Sequence, residues 1–279
     1  MANPIIGRPD AFTRHGEAPG HQYQSYGAPQ GYGAPQGYGA PQGFDPSLQQ
    51  APHQAPVGRM TLDDVIVKTA MTLGVVFLSA IATFRLLPME FLLPALIGSG
   101  IVGLITVFFV AGRTKLPVGG VMFYALVEGV FVGAFSKYFE FLFPGIVVSA
   151  VLATFVTAAS TLAAYKFFNI RVTPKFRKMV MIGTMSLLGV LLVNFVLALF
   201  GVNTGLREVG SGAGMLAILV SVIAVALAVA NLIVDFDSVE RGIAQGAPAQ
   251  ESWRAALGIT VTMVWLYVEI LRILSYFRD

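Results

Sequence analysis

Residues Asn231–Gly242 read NLIVDFDSVERG and close an apolar segment that begins near residue 214. The first half is compatible with lipid; then Asp235, Asp237 and Glu240 follow in quick succession. On a helical period Asn231, Asp235 and Ser238 fall at i, i+4 and i+7 and form one polar face. Asp237 points elsewhere, in register to pair with Arg241 one turn on. A charge at the centre of a bilayer costs about 2.5–3.5 kcal/mol even on the lenient insertion scale, so an acid there is expected to face other helices. The stretch therefore predicts a helix that crosses a membrane, holds Asp235 inward and emerges into water at Asp237 and Glu240.

Composition agrees. The chain of 279 residues is 56% hydrophobic and only 12% charged, about half the charge of a soluble domain. Working outward from the sixth segment gives seven apolar runs, at 65–87, 91–112, 118–138, 144–166, 179–200, 214–237 and 256–277. Each is near the ~20 residues that a spanning helix needs. Short connections carrying Pro or Gly separate them, so the expected fold is an all-α integral membrane bundle of seven transmembrane helices over residues 59–279.

Residues 1–58 are of another kind. YGAPQG repeats three times, at Tyr26–Gly31, Tyr32–Gly37 and Tyr38–Gly43. Gly, Pro and Gln with single tyrosines cannot gather enough apolar area to offset the entropy of ordering. This predicts a disordered Gly/Pro/Gln/Tyr-rich tail, and it lacks the apolar core of a signal peptide.

Basic residues set the expected orientation. Arg59 and Lys68 stand at the first segment, Arg113 and Lys115 between the second and third, and Arg171, Lys175, Arg177 and Lys178 between the fourth and fifth. Arg241 and Arg254 lie between the sixth and seventh. The opposite connections hold little beyond Arg85, Lys137 and Arg207, each with an acid nearby. Positive residues favour the cytoplasm, which places the N-terminus there and, after seven crossings, the C-terminal end outside.

Several chemistries are excluded. The chain has no cysteine, and its three histidines all precede the first apolar run. Thiolate metal sites, cysteine nucleophiles and imidazole switches are therefore absent from the spans. No HExxH or GxSxG pattern occurs, and no basic cluster suggests nucleic acid, so the chain is expected not to be an enzyme and to need no cofactor. What remains are carboxylates too short to reach the interface. Glu269 lies deep in TMVWLYVEILRILSYF and shares a helical face with Thr262, Trp265, Arg272 and Tyr276; Glu128 lies within the third run.

IVDFDSVERG (233–242), WLYVEILRILSYFRD (265–279) and YALVEGVFVGAF (124–135) together resemble the Bax inhibitor-1 (transmembrane Bax inhibitor motif) family, in its bacterial form. The resemblance covers residues 60–279 and is specific at the two acidic motifs. It implies a seven-helix bundle with the last helix central, in a bacterial inner membrane, acting as a pH-sensitive calcium leak channel. It further implies that one acid of the sixth helix and one of the seventh share a proton and gate the pore, matched here by Asp235 and Glu269, which would also contact calcium. Arg113 matches the counter-ion of the helix-six acid, with Arg272 a second candidate; Glu128, Asn231 and Ser238 are supporting polar positions. The alternative function is a non-conducting regulator or adaptor of membrane proteases, or a stress-response membrane protein, with a membrane protease or other membrane proteins as partners. Two carboxyls close together in low dielectric titrate as a unit, and carboxylate oxygens are the hard ligands calcium prefers.

Overall fold

A computed structural model describes residues 58–113, 116–168 and 170–278. Among them lie seven long helices: α1 (Leu62–Leu86), α2 (Leu92–Ala111), α3 (Val118–Leu142), α4 (Ile146–Phe167), α5 (Pro174–Leu199), α6 (Met215–Ala244) and α7 (Glu251–Ser275). A single 3-10 turn, Met89–Phe91, leads into α2. All seven are long and apolar enough to span a membrane. The repeats and the tail reading fall outside the described residues, as does Lys115.

Local signals explain the helix ends. Thr61 caps α1 by accepting from the Asp64 amide at 3.2 Å, and Asp63 and Asp64 complement the helix dipole. Thr173 does the same for the Phe176 amide of α5, with Pro174 in the first turn. Glu140 accepts from the amides of Gly145 and Val147 at 2.6 and 3.1 Å and so caps α4 from the preceding helix. Several helices outrun their apolar runs, most of all α6, which continues to Ala244, α7, which starts at Glu251, and α5, which starts at Pro174. Backbone hydrogen bonding does not stop where lipid stops, and charged residues carry each helix on into water.

α7 is the axis of the bundle. It packs against α1, α3, α4 and α6, and 72% of its apolar stretch is buried, against at most 39% in any other span. α3 meets α1 closely through Gly129 and Gly133. A Cβ at these positions would stand 2.6 Å from the Val76 carbonyl oxygen and 2.5 Å from that of Ala80. Such small-xxx-small spacing lets helix backbones approach where lipid offers no hydrophobic drive. α2 packs on α3, whereas α5 packs substantially only on α6. The remaining large apolar side chains, Leu78, Phe109, Phe141 and Val148 among them, face outward, as lipid requires.

The helices alternate in direction, and contacts at their ends define two faces. On one, Met60 N donates to Ala247 O at 2.8 Å and Ala249 N to Gly58 O at 2.7 Å, which docks the start of the described chain on the α6–α7 turn. Arg254 of α7 donates to the carbonyls of Ala111 and Arg113 at the end of α2. Tyr165, near the end of α4, donates to Glu240 at 2.7 Å. On the opposite face the α5–α6 connection meets the C-terminal end of α7: Gly210 N donates to Ser275 Oγ at 3.3 Å and Arg272 Nη1 to Arg207 O at 2.6 Å. The two ends of the described chain thus lie on opposite faces, as an odd number of crossings demands.

Candidate functional site

Asp235 is fully buried on α6, and Thr262 Oγ1 of α7 donates to its Oδ2 at 2.7 Å. One turn back, Asn231 Nδ2 donates to Thr184 Oγ1 of α5 at 2.7 Å and to Leu227 O at 2.8 Å, while its Oδ1 is buried without a hydrogen bond. One turn on, Ser238 returns its hydroxyl to Val234 O at 2.7 Å and accepts from Arg177 Nη2 at 3.2 Å. The polar face expected of Asn231, Asp235 and Ser238 is thus turned into the protein.

Asp237 marks the helix's emergence. Arg177 of α5 meets it at 2.9 Å, and Arg241 pairs with it at 2.5 Å across one turn of α6. The sequence register anticipated Arg241. Arg177 entered the sequence reading only as a topology marker, although it also brings a cation close enough to Asp235 to act on it electrostatically.

Glu269, with a side chain only 1% exposed, sits in a different cluster. Arg207 reaches in from the α5–α6 connection and clamps both carboxylate oxygens, Nη1 to Oε2 at 3.0 Å and Nη2 to Oε1 at 2.8 Å. This bidentate fork is the strongest arrangement available to the pair. Arg272 lies beside it, donates Nη1 to the carbonyls of Arg207 and Glu208 and so pins the connection, and its charge also acts on Glu269.

The two acids of the expected proton-sharing pair thus meet different partners. Thr262, which holds Asp235, precedes Glu269 by seven residues, or about 10 Å along the helix axis at 1.5 Å per residue. A carboxyl can reach only a fraction of that, and Glu269 already has both oxygens engaged. Asp235 of α6 meets α7 at the level of Thr262, and Glu269 stands about two turns further along α7. Among the described residues, no three His, Cys, Asp or Glu side chains cluster closely enough to hold a metal ion.

The counter-ion assignment changes as well. Arg113 is exposed and forms no ion pair among the described residues; its carbonyl serves Arg254 instead. Glu128 is half-buried beside Tyr124 of its own helix and faces α2, where a Cβ on Gly103 would stand 3.1 Å from its Oε2. It belongs to neither cluster. Arg207 and Thr262 were missed as partners. The sequence did contain a signal for Arg207: a deeply placed acid demands a cation, and that connection offers just one.

A family model described as Bax inhibitor 1 like matches residues 3–279. Comparison with curated proteins gives no match.

Proposed function

The chain belongs to the Bax inhibitor 1 like family, and from this membership and the geometry of the two acids we propose that the bundle is a pH-sensitive cation leak with calcium as the permeant ion. The route follows the α6–α7 seam past Asp235 and Glu269, two carboxylate stations at different depths. The observation that carries the reading is the Arg207–Glu269 fork: a buried acid of the central helix is neutralised by a connection that is not itself a spanning helix. Such a closure can be withdrawn without unpacking the bundle. Withdrawing the Glu269 charge releases the Arg207 side chain while Arg272 and Ser275 still hold the backbone of the connection to α7, and an arriving cation competes with Arg207 for the same oxygens. In this reading the protons act at two separate acids, each through its own partner, and no proton is shared.

The test is calcium uptake into proteoliposomes that contain only the purified protein, followed from acid to neutral pH. Glu269→Gln and Asp235→Asn keep shape and remove ionisation, so each should flatten the pH profile and not merely rescale it; Glu128→Gln should leave the profile in place. Wild-type profiles in both single variants would make the acids structural. A non-conducting regulator of membrane proteases would pass no calcium on its own, so absence of flux would favour that role.

A further inference from the structure

The exposed side of α5 carries a crevice of about 350 Å³, lined along one helical face by Ser186, Gly189, Val190 and Val193 and roofed by Leu206. It shares Asn194 and Thr204 with a second cavity of about 370 Å³, whose wall includes Arg207 and Glu208. Thr204 Oγ1 donates to Asn194 Oδ1, so the polar groups at the join are turned toward each other and away from the crevice. An apolar slot open toward lipid thus runs into a polar mouth that holds a guanidinium. Both volumes fall within the range of small-ligand sites.

We propose that these joined cavities bind a single-chain carboxylate amphiphile, a long-chain fatty acid, with the alkyl chain along α5 and the carboxylate on Arg207. Three features fix the chemistry. The Arg207 fork already holds one carboxylate bidentately, a geometry that a ligand carboxylate can take over without rearrangement. Arg207 keeps 20% of its side chain exposed and lines the second cavity, while Glu269 keeps 1% and does not line it. Glu208, which also lines the mouth, accepts from the Gly214 amide at 3.0 Å and keeps its charge, so the bidentate fork on Arg207 is what an incoming carboxylate must rely on. The slot is one helical face wide, which suits one alkyl chain. This site stands whether or not the protein conducts ions.

Gly189 provides a clean test, because a Cβ there would meet nothing within 4 Å. Gly189→Leu therefore fills the slot without touching the ion pair. Radiolabelled palmitate would be partitioned against lipid nanodiscs with and without the full chain. Saturable binding is expected to the loaded discs, weakened about tenfold, or 1.4 kcal/mol, by Gly189→Leu and by Arg207→Gln. Glu269→Gln should strengthen it, since it removes the competitor for the fork; a purely apolar groove would not respond to that change. Palmitate methyl ester should not compete. Equal binding of the ester, or wild-type binding by Gly189→Leu, would overturn the proposal. So would disulfide cross-linking of two copies through Val193→Cys, which would assign the groove to a second copy, or an absence of saturable binding, which would assign it to bulk phospholipid.

Discussion

Replacing Arg207 by Gln should destabilise the bundle more than any other single change in the α5–α6 connection. Glu269 would keep its charge in a site only 1% exposed, having lost hydrogen bonds of 2.8 and 3.0 Å. Breaking a buried ion pair from one side costs about 3–5 kcal/mol. One fifth of the Arg207 side chain reaches the surface, so water can enter behind the shorter glutamine, which favours the lower end, about 3 kcal/mol. At roughly 2–4 °C per kcal/mol for a domain of this size, the midpoint should fall by ~6–12 °C. Glu269→Gln combined with Arg207→Gln should recover much of the loss, because two neutral amides leave no orphaned charge. The assay is thermal unfolding in lipid nanodiscs, followed by the fluorescence of Trp253 and Trp265. A cost for Arg207→Gln no larger than that of Arg278→Gln, which removes only an exposed donor to the Pro144 carbonyl, would show that Glu269 does not depend on Arg207. Simple addition of the two single losses would show the same, since coupled partners should deviate from additivity by more than about 0.5 kcal/mol.

Thr262→Val keeps the shape of the side chain but removes the donor to Asp235, and unfolding measurements should show a loss of about 1.5–3 kcal/mol, the worth of a hydrogen bond to a charged group. Gly133→Ala should cost about 1–3 kcal/mol, because its Cβ would press on the Ala80 backbone, while Gly189→Ala should be nearly neutral in the same assay. Cysteines introduced at the exposed positions Thr173 and Gln250 should label from one side of sealed vesicles and one at Asn203 from the other. Labelling of all three from one side would break the alternation of the helices.

The fold was largely legible because the membrane imposes a length and an apolar composition that a window of sequence registers directly. Helix ends were less so: the charged turns Asp237–Ala244 and Glu251–Ala255 continue a hydrogen-bonded ladder that apolar counting cannot follow. Inward faces were readable at Asn231, Asp235 and Ser238, since helical period alone sets them. Partners were not. Whether Glu269 meets Asp235 or Arg207 depends on the relative height of α6 and α7 and on how a fifteen-residue connection folds back over the bundle, Phe200–Gly214. Both are tertiary facts with no local periodicity. The resemblance supplied the two acids and their helices, but not Thr262 and Arg207 as their partners.

The central position of α7 has a consequence for biogenesis. α7 is synthesised after every helix that surrounds it, so for a time α1, α3, α4 and α6 stand in the membrane around an interior that nothing fills. In that interval Asp235 lacks Thr262, and Arg207 has no carboxylate to hold. Assembly must therefore proceed by late insertion of a helix with a buried acid into a waiting ring, and the ring must stay loose enough to admit it. The glycine-mediated contact of α1 with α3 is the most extensive packing that needs no α7, ahead of α2 on α3 and α5 on α6, which makes that pair the seed on which the bundle closes.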